Sequence, residues 1–481
     1  MFWRGVLGYL PVNIVQGLVG LLTIVLFTRV LTPGQFGDYA LGLSVMTLAH
    51  TAIFTWNEAA VGRFWAGESL RNGGADHAAT VHRAWLGLLA VIPVAVLAAA
   101  LWPMSPSLKL AVIAGLVSLV PRTFAKLGQE RRRAAGEVGG SASLELIQTL
   151  GGFGFGAALA YAGFGGAAPL MGFGLASLVA VAVCARPELA KAKGGRYEPA
   201  RLREHAAYGF PLAASLILTV VLSTTDRFLL AAFLDNAAVA VYHAGYSLSN
   251  RTLDVAFIWL GAAGAPAMVM ALERGGREAL ASAAREQFSV MLLLTLPAAV
   301  GLALVARPLA ELMIGPAMAA GAAQVTPLIA LGGLLAGLNT YYFSEAFVLG
   351  RRSGLALWAM AVPAVANLGL NLALIPRFGI EGALWSTVIS YALGVAVAIV
   401  MARKVMPLPV PWRVLGEALG AAAVMALVVS RIPDLGGLPE LALKAATGGA
   451  TYGAIVFALD AGRLRSRALA ILQARRAGSA A

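Results

Sequence analysis

The sequence predicts an all-α polytopic membrane protein of about 14 transmembrane helices, with two pseudo-symmetric six-helix lobes around a central cleft plus two C-terminal helices. Three observations lead there. Of 481 residues, 59% are hydrophobic and only 12% charged, and the mean hydropathy is +0.79, far from the balance of a water-soluble domain. Apolar runs of roughly 20 residues, the length a helix needs to cross a hydrocarbon core, recur along the whole chain. The basic residues sit between those runs and fall mostly on one side.

In order, the apolar windows place helices near 9–28, 37–57, 83–102, 108–125, 143–162 and 166–185, then 208–233, 238–263, 287–306, 324–349, 355–375, 380–402, 413–430 and 440–459. The first is too long for a signal-peptide core and ends in Thr28-Arg29 without a small-residue cleavage site, so it reads as a retained helix. With the N-terminus inside, the outer segments hold only Arg29, Lys109, Arg307, Arg377, Arg431 and Lys444. Arg227 and Arg251 lie within helices, and all the other Lys and Arg are inner. That bias puts both termini in the cytoplasm.

The connection from Arg186 to His205 is charged and carries Gly and Pro, which reads as a linker. The expected organisation is an N-lobe over 1–186, a cytoplasmic linker over 187–207, a C-lobe over 208–403, and a final helix pair with a basic tail over 404–481. The lobes echo each other. Leu31 to Tyr39 after Arg29 has the same Leu-to-Tyr spacing as Leu234 to Tyr242 after Arg227, and Phe164-Gly165 is echoed by Phe378-Gly379. Parallel repeats of this kind are a transporter plan. The tail segment 463–476 has the pattern of a basic amphipathic helix on an anionic membrane surface.

The net charge of +13 is accounted for by the inside-positive bias, so no nucleic-acid partner is expected. One cysteine, Cys184, excludes an internal disulfide framework. There is no G-x-x-x-x-G-K-[ST] loop, no H-E-x-x-H and no His/Cys cluster. The expectation is a protein that is not an enzyme and has no cofactor and no metal.

Ionisable residues inside spans are costly and face a bundle interior or a wet cavity. The run Phe210 to Leu234 carries Asp226 and Arg227, which as helical neighbours point about 100° apart. The next helix carries Asn250, Arg251 and Asp254, and Arg29 ends the first at a depth comparable with Arg227. For each, a packing or snorkelling role stands beside a lumen role. His50, Asn57 and Glu58 fit helix-to-helix hydrogen bonding or contact with water. Asn339 and Glu345 share the tenth helix, and Glu345, with Asp226, is a candidate for ion coupling. Asn367 and Asn371, four apart, read as interhelical glue, and Gly151, Gly152, Gly154 and Gly156 as close-packing positions.

Three stretches, TRVLTPGQFGDYALGLSV (28–45), TTDRFLLAAFLDNAAVAVYHAGYSLSNR (224–251) and NLGLNLALIPRFGIEGALWSTVISY (367–391), resemble the polysaccharide-exporter branch of the multidrug/oligosaccharidyl-lipid/polysaccharide transporter superfamily, the O-antigen and exopolysaccharide flippases. The resemblance covers nearly the whole chain, although the first helix lacks the deeper charges that some members carry. It implies a bacterial inner-membrane flippase moving an undecaprenyl-diphosphate-linked oligosaccharide from the cytoplasmic to the periplasmic leaflet. Under that implication Arg29, Arg227 and Arg251 would bind the diphosphate, and Tyr242, Tyr246, Asn250 and Asn339 would line the sugar path. The partner is then a membrane lipid-linked oligosaccharide, with other polysaccharide assembly proteins as further partners and a monomer as the working unit. A cation-coupled multidrug exporter of the same superfamily is the alternative, and a membrane polysaccharide polymerase or ligase a more distant one.

Overall fold

The computed structural model describes residues 2–70 and 74–466, and among them every regular element is helical. The basic segment 463–476 lies outside the described residues beyond its first four positions. The helices are α1 (Phe2–Val30), α2 (Pro33–Ile53), α3 (Thr55–Glu68), α4 (Ala75–Leu89), α5 (Val91–Leu101), α6 (Pro106–Ala134), α7 (Val138–Tyr161), α8 (Ala168–Ala192) and α9 (Pro199–Phe233). After them come α10 (Asn236–Leu304), α11 (Ala306–Met313), α12 (Pro316–Leu338), α13 (Glu345–Leu349), α14 (Ser353–Ala402), α15 (Trp412–Val429) and α16 (Gly437–Ala458).

Ten stretches among the described residues are long and apolar enough to cross a membrane. Two of them are double. α10 is 69 residues long and breaks at Gly275 and Gly276, and the 50-residue α14 breaks at Gly379. With those divided, and with α2 and α7 at 21 and 24 residues, each of the fourteen expected spans has a helix. This is a multi-pass, all-α membrane protein.

The helices run further than hydropathy alone indicates. α8 continues to Ala192 and α9 begins at Pro199, so only 193–198 remain non-helical in the charged connection. α6 continues to Ala134 and carries Arg122, Lys126, Arg131, Arg132 and Arg133 on helix.

By contacts, the chain divides into two compact units, one ending at His243 and one beginning at Ala244. In the first, α6 contacts α2, α3, α7 and α8, and α9 contacts α2 and α3. Its apolar centre includes Met46, Phe54, Ile92, Leu116, Leu119 and Leu170. Between apolar helices in lipid, close backbone approach replaces the hydrophobic drive. Where α7 and α8 cross, a Cβ added to Gly172 would lie 2.1 Å from the backbone N of Gly156, so Gly172 has no room for a side chain. In the second unit Phe288, Met291, Tyr342 and Phe347 are enclosed by α10, α12, α13 and α14.

The sequence echoes are also echoes of backbone. Thr32 caps α2 by accepting from the N–H of Gln35, and Asp235 accepts from the N–H of Ala238 at 2.7 Å at the start of α10. Thr32 and Asp235 thus hold equivalent cap positions. Gly165 after Phe164 has φ +55°, and Gly379 after Phe378 has φ +59°, a left-handed turn that favours glycine.

Candidate functional site

The first polar centre lies on α9. Its exposed apolar stretch gives way to buried Thr224, Asp226 and Arg227. The angular offset of adjacent helical residues sends the two charges to different neighbours. Asp226 accepts a hydrogen bond from the hydroxyl of Tyr242 on α10. The Nη1 of Arg227 is 3.5 Å from Oγ of Ser44 on α2, and Ser44 donates its own proton to the Ala40 carbonyl at 2.8 Å, so a lone pair remains for the guanidinium. Tyr242 is fully enclosed. Arg29 is exposed at the end of α1 and donates to the Val25 carbonyl at 2.9 Å.

A second centre joins α2, α3 and α6. Phe54 interrupts the helix between α2 and α3, and across that break His50 Nε2 meets Glu58 Oε1 at 2.9 Å. Arg122, half-buried on α6, lies within Coulombic reach of Glu58. Its guanidinium carbon stands 4.8 Å from the Phe173 ring centroid, a cation–π contact. Arg122 falls near the inner end of the span expected over 108–125 and in the sequence counts only toward the inside-positive bias. The available signal was Pro121-Arg122 following directly on an apolar run.

At the end of α6 the charges are paired. Arg131 donates through Nε to Glu188 at 2.6 Å and through Nη1 to Glu137 at 2.9 Å, while Arg132 Nε reaches Glu188 at 3.0 Å. Arg131 also covers the Trp65 ring at 5.4 Å. Glu188, Arg131 and Arg132 are buried. Glu137 lies between α6 and α7, and the hydrogen bond from Arg131 holds its carboxyl below the usual range. This cluster ties α6, α7 and α8 together and is occupied with itself.

In the second unit, Arg251 and Asp254 are exposed on α10, and Tyr246 and Asn250 are half-buried. Asn339 is buried where α12 passes into a π-turn over Asn339–Phe343, closed by the Ser344 N–H donating to the Asn339 carbonyl at 2.9 Å. Such one-turn bulges are frequent at functional positions. Glu345 follows at the first position of α13 and is half-buried. Asn371 donates to Asn367 at 2.9 Å within α14, and both are fully buried.

The same unit holds a groove of about 640 Å³ between the second half of α10, α15 and α16. Leu293, Leu294, Val429, Tyr452 and Phe457 are among its walls, and among the described residues Lys444 is the one charged residue lining it. Lys444 is itself bound to Glu440 at 2.6 Å and Asp434 at 3.2 Å.

The fold is shared with solved membrane transporters. A structure titled "Lipid II flippase MurJ, inward closed conformation" superposes with a TM-score of 0.73 at 14% identity, covering 93% of this chain and 98% of that one. An inward-facing multidrug resistance MATE family transporter of the MOP superfamily superposes with a TM-score of 0.64 at 16% identity, covering 81% and 94%. No curated protein sequence matches significantly. The class is therefore a multi-pass membrane protein with the fold of these transporters. Residues 26–319, more than half of the chain, match the family described as "Polysaccharide biosynthesis protein", and the chain belongs to that family.

Proposed function

We propose that the protein is a transporter, not an enzyme, that flips an undecaprenyl-diphosphate-linked oligosaccharide from the cytoplasmic to the periplasmic leaflet of a bacterial inner membrane by alternating access, for cell-surface or exopolysaccharide biosynthesis. The observation that carries the reading is that Arg227 is buried within a membrane span of a polysaccharide-biosynthesis family member. A buried cation in lipid is costly, and a diphosphate crossing hydrocarbon loses its hydration, so each offsets the other's penalty. Guanidinium groups offer phosphate two parallel hydrogen bonds. Arg227 is the first donor in this reading, and Arg122, Arg29 and Arg251 are further cations along the route. Tyr246, Asn250 and Asn339 are the polar groups assigned to the sugars. Tyr242 supports the site through Asp226. The groove beside α15 and α16 has a mostly apolar lining, of the chemistry an isoprenoid chain requires.

Outward movement of two negative charges is favoured by roughly 4.6 kcal/mol at 100 mV, inside negative, so ion coupling through Asp226 or Glu345 is not required for drive. The test is leaflet transfer of a fluorescent undecaprenyl-diphosphate oligosaccharide in proteoliposomes. Transfer by the wild type that collapses in Arg227→Ala and partly survives in Arg227→Lys supports the reading. Cation-dependent efflux of a lipophilic dye with no lipid transfer would replace it with the drug-export alternative.

A further inference from the structure

A lateral recess of about 340 Å³ opens between α3, α4 and α9, lined by Trp56, Arg83, Gly87, Leu88, Tyr197 and Leu202. Arg83 is exposed, and its guanidinium carbon stands 5.9 Å from the Tyr197 ring centroid. Among the described residues no carboxylate lies within ion-pair distance of it, in contrast to Arg131, Arg132 and Arg201. Trp56 forms an aromatic wall, its ring 4.9 Å from that of Phe210. One helical turn beyond Arg83, a Cβ on Gly87 would meet nothing within 4 Å, so the wall is open there.

The surface leading away from Arg83 is apolar. Leu86, Val94, Leu97 and Leu101 are 59%, 66%, 60% and 77% exposed along α4 and α5. In a membrane span such residues face acyl chains, and Val94 and Leu101 fall close to the same helical face as Arg83 and Gly87. An arginine on α4 over the Tyr197 ring, in a recess that Trp56 also lines and from which the exposed apolar column runs on, is a chemical match for a phosphate on an apolar tail. The apolar column argues for a lipid over a soluble phosphate.

We propose that this recess binds the headgroup phosphate of an anionic glycerophospholipid, with Arg83 donating to the phosphate oxygens, Tyr197 and Trp56 flanking the headgroup, and one acyl chain passing Gly87 along α4 and α5. The site is separate from Arg227 and does not depend on the transport reading. It accounts for an exposed cation without a carboxylate partner.

The test uses the full chain purified in neutral detergent, with thermal unfolding followed while phosphatidylglycerol is titrated in. The wild-type midpoint rises with phosphatidylglycerol and not with phosphatidylcholine. Arg83→Gln, at an exposed position that leaves folding intact, requires roughly fivefold more lipid for the same rise, the share of one basic residue near a lipid surface. Gly87→Leu fills the acyl path and shows the same loss. Brominated phosphatidylglycerol quenches the wild type more than Trp56→Phe, which places the lipid at the recess. Superimposable titrations for wild type and Arg83→Gln would overturn the proposal, as would an equal response to phosphatidylcholine. Displacement of the brominated lipid by a polyprenyl diphosphate at lower concentration than by phosphatidylglycerol would assign the recess to the diphosphate lipid and overturn it too.

Discussion

His50 Nε2 and Glu58 Oε1 lie 2.9 Å apart across the break between α2 and α3, both side chains largely shielded and Arg122 within Coulombic reach. The contact spans Phe54, the residue at which α2 ends and α3 begins. Glu58→Ala removes an acceptor from His50 and a counter-charge from Arg122, and is expected to cost about 1–3 kcal/mol. His50→Gln keeps a donor and costs less. Thermal unfolding of the detergent-solubilised variants checks the order, and a larger loss in His50→Gln would contradict this account.

Glu188 holds two guanidinium groups at once, Arg131 and Arg132. Glu188→Ala leaves buried cations without it, a change worth about 3–5 kcal/mol in comparable buried pairs. Glu188→Gln keeps one acceptor and falls in between. If the alanine variant unfolds at the wild-type midpoint, the cluster does not hold α6 to α8.

Below neutral pH the same cluster weakens through Glu137. Its folded carboxyl is held down by the Arg131 hydrogen bond, so its contribution is present above the unfolded carboxylate pKa and is lost as pH falls through the lower, folded value. Asp460, hydrogen-bonded by Ser466, acts in the same direction. Stability measured from pH 7 down to 3 should therefore fall in the acid limb, and Glu137→Gln should flatten that limb. Glu137 is about half exposed, so solvent screens the effect.

The start of α10 meets α2 at Gly37, where a Cβ would sit 1.8 Å from the backbone oxygen of Asn236. Gly37→Ala should lower the unfolding midpoint by an overpacking cost of about 1–3 kcal/mol. Because the obstacle is backbone, Asn236→Gly does not rescue it. Recovery in that double variant would show that the Asn236 side chain, which also donates to Asp38, carries the contact.

Much of this molecule was legible in the chain as a string. Span positions depend on local hydropathy over about 20 residues, and all fourteen expected positions carry helix. The paired echoes Thr32 with Asp235 and Gly165 with Gly379 are likewise local, since a cap or a left-handed turn needs only its own few residues. The placement of charge was not. Arg131 and Arg132 read as loop cations because hydropathy drops there, yet they are buried against a carboxylate that enters from α8, 57 and 56 positions later in the chain. The connection 186–205 has the composition of a linker but is mostly helix.

By itself the sequence determined that this is a multi-pass helical membrane protein with an internal repeat, because hydrophobic length and turn chemistry are properties of contiguous residues. Only the tertiary structure decided that Asp226 turns to Tyr242, that Arg227 turns to Ser44, that Arg122 lies over the Phe173 ring, and that an apolar groove runs between α10, α15 and α16. Those outcomes rest on which helices touch, and a side chain's partner in a bundle is set by distances in space that no spacing along the chain encodes.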